Sequence, residues 1–329
     1  MTLELVCPAG SPAMLRAAIE AGADSVYCGL RDATNARNFP GLNFTPSELK
    51  EACAWAHGRG ARVLVAINTF ARAGAVAPWC DAVDVAARSG ADAVIAADLA
   101  VLAYVRDAHP GLRLHLSVQA AANSAEALRF YAETYGVRRA VLPRVLSAQE
   151  VAEVTRAATV EIEAFVFGGL CVMAEGRCAL SSYATGASPN LSGVCSPAEA
   201  VVFDRGGGAL IPRLSGLALD RLAPGEPAGY PTLCKGRFGA GGTAGYLFEE
   251  PVGLNALGLL KALREAGVTA VKVEGRQRGR AYVARVARAF RGAIDALARN
   301  EDLAPWEGAL ADLAEGRRET TGAYRKTWR

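Results

Sequence analysis

The chain has 329 residues, 51% of them apolar, few aromatics and a formal net charge of +3. That length fits one large α/β barrel or two ordinary domains without any staple for stability, and the apolar content excludes disorder. So small a charge, spread along the chain, leaves no electrostatic footprint for nucleic acid, and no run nears the ~20 apolar residues of a membrane span.

The opening Met-Thr-Leu-Glu leads directly into a strand with no basic leader, so a cytoplasmic protein is expected. In that compartment eight cysteines point to metal or redox use rather than to disulfides. The first strand is residues 3–7, and Ser11-Pro12 then caps a helix over 13–21 that ends at Gly22. A second strand spans 25–29. The pattern repeats: helix 46–57, strand 62–67, helix 77–89, strand 93–96, helix 99–108, strand 113–117, helix 125–135, strand 139–142, helix 148–158. A seventh strand ends at Phe167. Short buried strands alternating with amphipathic helices are the signature of right-handed βαβ units.

Regularity then lapses from 181 to 250, a Gly/Pro-rich stretch longer than an ordinary connection. Alternation resumes with helix 255–266, strand 270–275 and helix 281–298, which supplies an eighth βα unit. The expected architecture is a single (β/α)8, TIM-barrel-like domain. Residues 1–167 give seven strands and their helices, 168–250 an irregular cysteine-bearing insertion, and 251–299 the closing unit. Residues 300–329 form a polar tail, read as an outer helix with a frayed end over 325–329.

The stretch from Glu163 to Ser181 organises the chemistry: an apolar strand breaks at Gly168-Gly169 and hands over to Cys171 and Cys178. Cys195 and Cys234 follow, each near Gly or Pro and away from any periodic apolar face. The spacing C-x6-C-x16-C-x38-C contains neither the short pairs of zinc ribbons nor ferredoxin spacing. Four thiols gathered from loops on a barrel rim fit a [4Fe–4S] cube; structural zinc and four unrelated thiols are the alternatives. Cys7, Cys28, Cys53 and Cys80 lie on strands and helices and are read as core filler.

In a barrel, functional groups project from the C-terminal strand ends. Asn35 and Arg37 follow the second strand, Asn68 and Thr69 the third, Asp98 the fourth, Gln119 the fifth and Arg144 the sixth. Lys272, Glu274 and Arg276 mark the eighth. For any one of them a loop cap or ion pair is the competing explanation. Together Asn35, Arg37, Lys272, Glu274 and Arg276 suit an anionic ligand. There is no H-E-x-x-H, G-x-S-x-G, P-loop or dinucleotide fingerprint.

The Glu163–Ser181 stretch resembles the signature of the peptidase U32 family, E-x-F-x2-G-[SA]-[LIVM]-C-x4-G-x-C-x-[LIVM]-S, with Gly169 where Ser or Ala is usual. The likeness extends to Leu5-Val-Cys-Pro-Ala-Gly10, Asn35-Ala-Arg37 and Val271-Lys-Val-Glu-Gly-Arg276. Segments such as Val141-Leu-Pro-Arg-Val-Leu146 and Ala228-Gly-Tyr-Pro-Thr-Leu-Cys-Lys-Gly236 resemble the branch that serves oxygen-independent ubiquinone biosynthesis. The resemblance implies a [4Fe–4S] cluster on Cys171, Cys178, Cys195 and Cys234 and ring hydroxylation without O2, with prephenate as oxygen source. It also implies a heterodimer with a sister subunit of the UbiV type. Related members hydroxylate tRNA or 23S rRNA; an RNA hydroxylase of that kind, a collagenase-type protease, which lacks a recognisable nucleophile–base pair here, and a non-catalytic Fe–S subunit that positions the true catalyst are the alternative readings. A polyprenylated substrate would need a lipid carrier or a multi-enzyme complex, because no amphipathic anchor stands out.

Overall fold

The computed structural model describes residues 2–173, 175, 178–189, 194–314 and 318–326. Seven parallel strands come first: β1 Glu4–Pro8, β2 Ser25–Gly29, β3 Arg62–Ile67, β4 Ala93–Ala96, β5 Arg113–Leu116, β6 Arg139–Val141 and β7 Glu161–Gly169. Between them run α1 Pro12–Glu20, α2 Pro46–His57, α3 Ala77–Arg88, α4 Leu99–Ala108, α5 Ala125–Tyr135 and α6 Ala148–Ala157. Local chemistry sets these starts. Ser11 caps α1 through the Met14 amide, and Thr45–Glu48 and Ser147–Glu150 form reciprocal capping boxes on α2 and α6.

After β7 come α7 Leu180–Thr185, a three-stranded antiparallel sheet of β8 Val201–Gly206, β9 Ala209–Leu214 and β10 Leu217–Ala218, and a hairpin of β11 Arg237–Ala240 and β12 Thr243–Tyr246. Strand β13 Gly253–Asn255, α8 Leu260–Glu265, β14 Ala270–Val273, α9 Arg280–Ala298 and β15 Glu319–Thr320 complete the described elements. Strand β14 pairs in parallel with both β1 and β7, so the eight parallel strands close into a barrel. The expected fold class is therefore the observed one.

Strand periodicity divides the core in two. Leu5, Cys7, Val26, Cys28, Val63, Val65 and Val94 face the helices and join the main core, as does Cys53 of α2. Val6, Tyr27, Leu64, Ala93, Ile95 and Ala270 form a separate cluster inside the barrel. At the N-terminal pole of that interior, the end from which the strands enter, the filling is ionic. Arg139 reaches Glu4 at 2.6 Å, Glu161 at 2.7 Å and Glu163 at 3.3 Å, and Arg62 adds a second contact to Glu4 at 2.9 Å. His115 lies against this group, its Nε2 accepting from Arg113 Nε at 3.1 Å.

Three regions differ from their sequence reading. The insertion expected to be irregular holds a sheet and a hairpin. Its turns at Gly207-Gly208 and Gly241-Gly242 have positive φ at both glycines, the conformation a two-residue hairpin loop demands. Pro212 lies within β9, and β8 is exposed along most of its length, so neither strand shows a clean apolar alternation. The helix expected over 255–266 is confined to α8 and a preceding 3-10 turn, because residues 253–255 pair antiparallel with the end of β7 instead. The tail expected as an outer helix is a series of short turns and β15, which pairs with β13. Tyr324 turns inward there and donates to the Phe165 carbonyl at 2.7 Å. Residues 327–329 of the expected frayed end lie outside the described residues. No helix among those described is long and apolar enough to cross a membrane.

Candidate functional site

The loop after β2 folds across the C-terminal mouth. Asn35, 1% exposed, donates to the Leu30 carbonyl at 2.5 Å and accepts from the Arg37 amide at 2.9 Å and from Arg276 at 3.3 Å. Gly29 is required beneath it, since a Cβ there would lie 2.6 Å from the Asn35 side chain. Asn68 accepts from the Ala36 amide at 3.0 Å and donates to Ser117 at 3.1 Å, which ties the ends of β3 and β5 to the same loop. Thr69 donates to the Ala33 carbonyl at 2.7 Å, and Asp98 caps α4. These three are architectural. The side-chain oxygens of Asn43 and Gln119 are buried without a hydrogen-bond partner.

Arg276 is 5% exposed and rests 5.4 Å from the Tyr27 ring centroid. Among the described residues it has no ion-pair partner, and burial, with Arg37 nearby, brings its pKa down to about 10 against the pull of Tyr27. Arg37 stands 3.9 Å from Glu274, whose other oxygen accepts from the Gly169 amide at 3.1 Å. Burial opposes the Glu274 charge, yet Arg37 and Arg144 hold its carboxyl below the usual range. Asn35, Arg37, Glu274 and Arg276 are thus brought together at the mouth. Lys272 is directed elsewhere, to Glu163 at 2.6 Å, with its ammonium 3.9 Å from the Tyr27 ring centroid.

The thiols begin where β7 ends. Gly168 has φ +114°, and a Cβ there would meet the Glu274 carbonyl oxygen at 2.4 Å, so the strand leading to Cys171 lies close against the backbone of Glu274. The Cys171 thiol donates to the Met173 carbonyl at 3.2 Å; Cys178 lies 3.8 Å from Ser181 of α7; Cys234 sits in the 3-10 turn Leu233–Lys235. All eight cysteines are free. Burial pushes the Cys171 thiol up to about 12, Glu175 adding and Arg144 opposing, and the charge of Cys234 reaches it. Cys234 is raised by burial and in turn feels Cys195 and Cys178. The four thiols come from three segments of the chain. No three His, Cys, Asp or Glu side chains among the described residues stand close enough together to hold a metal ion. The donor chemistry suits a soft centre nonetheless: four free thiols, with the charge of Arg144 favouring the Cys171 thiolate and that of Lys235 the Cys234 thiolate.

Two groups at this site are not among the residues expected there. Glu175 lies between the first two cysteines and pairs with Arg144 at 2.6 Å; Tyr324 arrives from the far end of the chain. A charged residue inside a cysteine spacing was the available clue for Glu175. For Tyr324 there was none. The histidines stand apart from the mouth: His57 pairs with Asp92 at 2.9 Å, His109 with Asp84 at 2.7 Å, and His115 is within the barrel.

A family model described as Peptidase family U32 matches residues 10–326. A collagenase of Porphyromonas gingivalis is 30% identical over 325 residues, covering 94% of this chain and 70% of that protein. The tRNA hydroxylation protein P of Escherichia coli is 30% identical over 334 residues, covering 95% and 72%. The 23S rRNA 5-hydroxycytidine C2501 synthase of Escherichia coli is 28% identical over 320 residues, covering 96% of this chain but 42% of that protein. With a family match across nearly its whole length, the chain belongs to peptidase family U32.

Proposed function

We propose that the chain is the [4Fe–4S]-bearing, UbiU-like subunit of an O2-independent hydroxylase acting on the rings of ubiquinone precursors. What supports it is the set of four free thiols on three segments, beside a mouth where the buried Arg276 guanidinium has no ion-pair partner among the described residues. Cys171, Cys178, Cys195 and Cys234 would hold the cluster, which supplies a centre for electron transfer or Lewis-acid binding when bound. Arg276 and Arg37, oriented by Asn35 and Glu274, would bind the carboxylates of a prephenate-like oxygen donor. Lys272 would act from below, fixing Tyr27 and through it the floor on which Arg276 rests. A UbiV-like sister subunit and a lipid-carrier protein would complete the assembly and present the insoluble ring.

The curated relatives named for tRNA and rRNA hydroxylation favour a second reading, in which the same centre serves an RNA base. The net charge of +3 supports the first. A protease is disfavoured, since no histidine lies at the mouth to activate a nucleophile among the described residues. Deleting the gene and growing cells without oxygen separates the two hydroxylase readings. Loss of ubiquinone with unchanged RNA nucleosides supports the first; unchanged ubiquinone with loss of a hydroxylated nucleoside overturns it. Anaerobic purification with iron and sulfide analysis, on wild type and Cys171→Ala, tests the cluster: about four of each per chain is expected, lost in the variant.

A further inference from the structure

One side chain holds the loop that carries the first thiol. Arg144, just beyond β6, has its guanidinium carbon 4.4 Å from the Phe165 ring centroid. From there Nε donates to Glu175 Oε1 at 2.6 Å and Nη1 donates to the Gly169 carbonyl. Gly169 precedes Cys171 and Glu175 follows it, so a single planar group grips the chain on both sides of the thiol. The ion pair is nearly enclosed, its side chains 7% and 5% exposed. The second Glu175 oxygen is buried with no hydrogen-bond partner, although Arg144 is close by.

A buried ion pair contributes little net stability, because desolvation cancels most of the attraction. An unanswered carboxylate oxygen makes this one costlier still. Its position therefore asks for another account. We propose that Arg144 and Glu175 are a positioning pair for Cys171, fixing the direction of its thiol and supplying a compensated positive charge beside it. This rests on the reading of Cys171 as a cluster ligand. Groups just outside a metal's ligands set their orientation, and their loss typically costs ~10–100-fold in metal affinity. Lysine cannot replace Arg144 here, since a single ammonium lacks the fork that serves a carboxylate and a carbonyl at once.

The test uses the full chain purified without oxygen, as wild type, Arg144→Lys and Glu175→Gln, with Arg213→Lys at the exposed Asp204 pair as control. Cluster loss to a chelator, followed by visible absorbance, is expected to be ~10–100-fold faster in Arg144→Lys and unchanged in the control. Glu175→Gln keeps the shape but removes a negative charge, and is expected to move the cluster's midpoint potential upward. Chelation rates and potential equal to wild type in both variants would overturn the proposal. If Arg144→Lys does not fold, the Glu175→Gln potential decides alone. If wild type itself holds no iron, the cluster reading fails, and the clamp is then tested on metal-free protein by iodoacetamide alkylation of Cys171, read by peptide mass. Faster alkylation in Arg144→Lys, on the order of tenfold, supports the clamp; an equal rate rejects it.

Discussion

The two poles of the barrel carry similar groups arranged to opposite ends. At the N-terminal pole Arg139 is answered by three carboxylates, and one layer up Lys272 is answered by Glu163. At the C-terminal pole Arg276 meets a carboxamide and an aromatic face with no ion-pair partner among the described residues, and one buried oxygen each of Asn43, Gln119 and Glu175 has no donor there. Burying a charge is tolerable when it is paired and hydrogen-bonded. The first pole is a closed ionic network; the second leaves the cation and the acceptors that the proposed anionic donor would answer.

The largest effect should come from breaking the answered pole. Glu163→Ala leaves Lys272 and Arg139 short of a shared carboxylate that is 0% exposed, and is expected to destabilise by about 3–5 kcal/mol in denaturant unfolding. The unanswered pole should behave the other way. Arg276→Gln is expected to leave stability within about 1 kcal/mol while lowering hydroxylation ~10–100-fold, the scale of a charged hydrogen bond of ~1.5–3 kcal/mol. A stability loss as large as that of Glu163→Ala would erase the distinction.

Acidity sharpens the same contrast. Burial, then Arg139 and Arg113, hold His115 well below its ordinary pKa, so the folded chain keeps it neutral. The unfolded chain binds that proton below about pH 6.5, so stability from this group is complete above that pH and is lost as pH falls through the window beneath it. Wild type is expected to lose up to ~1.4 kcal/mol per pH unit there relative to His115→Gln, and identical pH curves would remove the effect. The carboxyl of Glu4, also held below its usual range, extends the loss to lower pH. The smallest change is Tyr324→Phe. It removes one buried hydroxyl from the Phe165 carbonyl and is expected to cost about 1 kcal/mol, read as a lower melting temperature.

The barrel was legible because its signals are local. Ser11-Pro12, Thr45 with Glu48, and Ser147 with Glu150 mark helix starts, and strand ends follow from the same alternation. Strand-end placement likewise brought Asn35, Arg37, Glu274 and Arg276 into one list, and the structure brings them into one site. It could not show that Lys272, only two residues before Glu274, belongs to a layer governed by Glu163, because that layer depends on the pleat. The β8–β12 region was missed because its strands bury too little to alternate, although its paired glycines were a readable turn signal. Tyr324 and Phe165 meet across 159 positions, a relation no window of sequence contains.

That last contact bears on how the molecule is made. Strand β7, which leads to Cys171, is paired on one edge by β6, on the other by β14, and beyond its bulge by β13, which β15 then flanks. A ribosome must release β14 before the cylinder can close, and Tyr324 before the Phe165 carbonyl gains its donor. Such long sequence separations make closure slow relative to helix formation. The thiol-bearing loops are consequently synthesised before the strand that closes their scaffold, so the neighbourhood of Cys171 takes its final form only after β14 has been made.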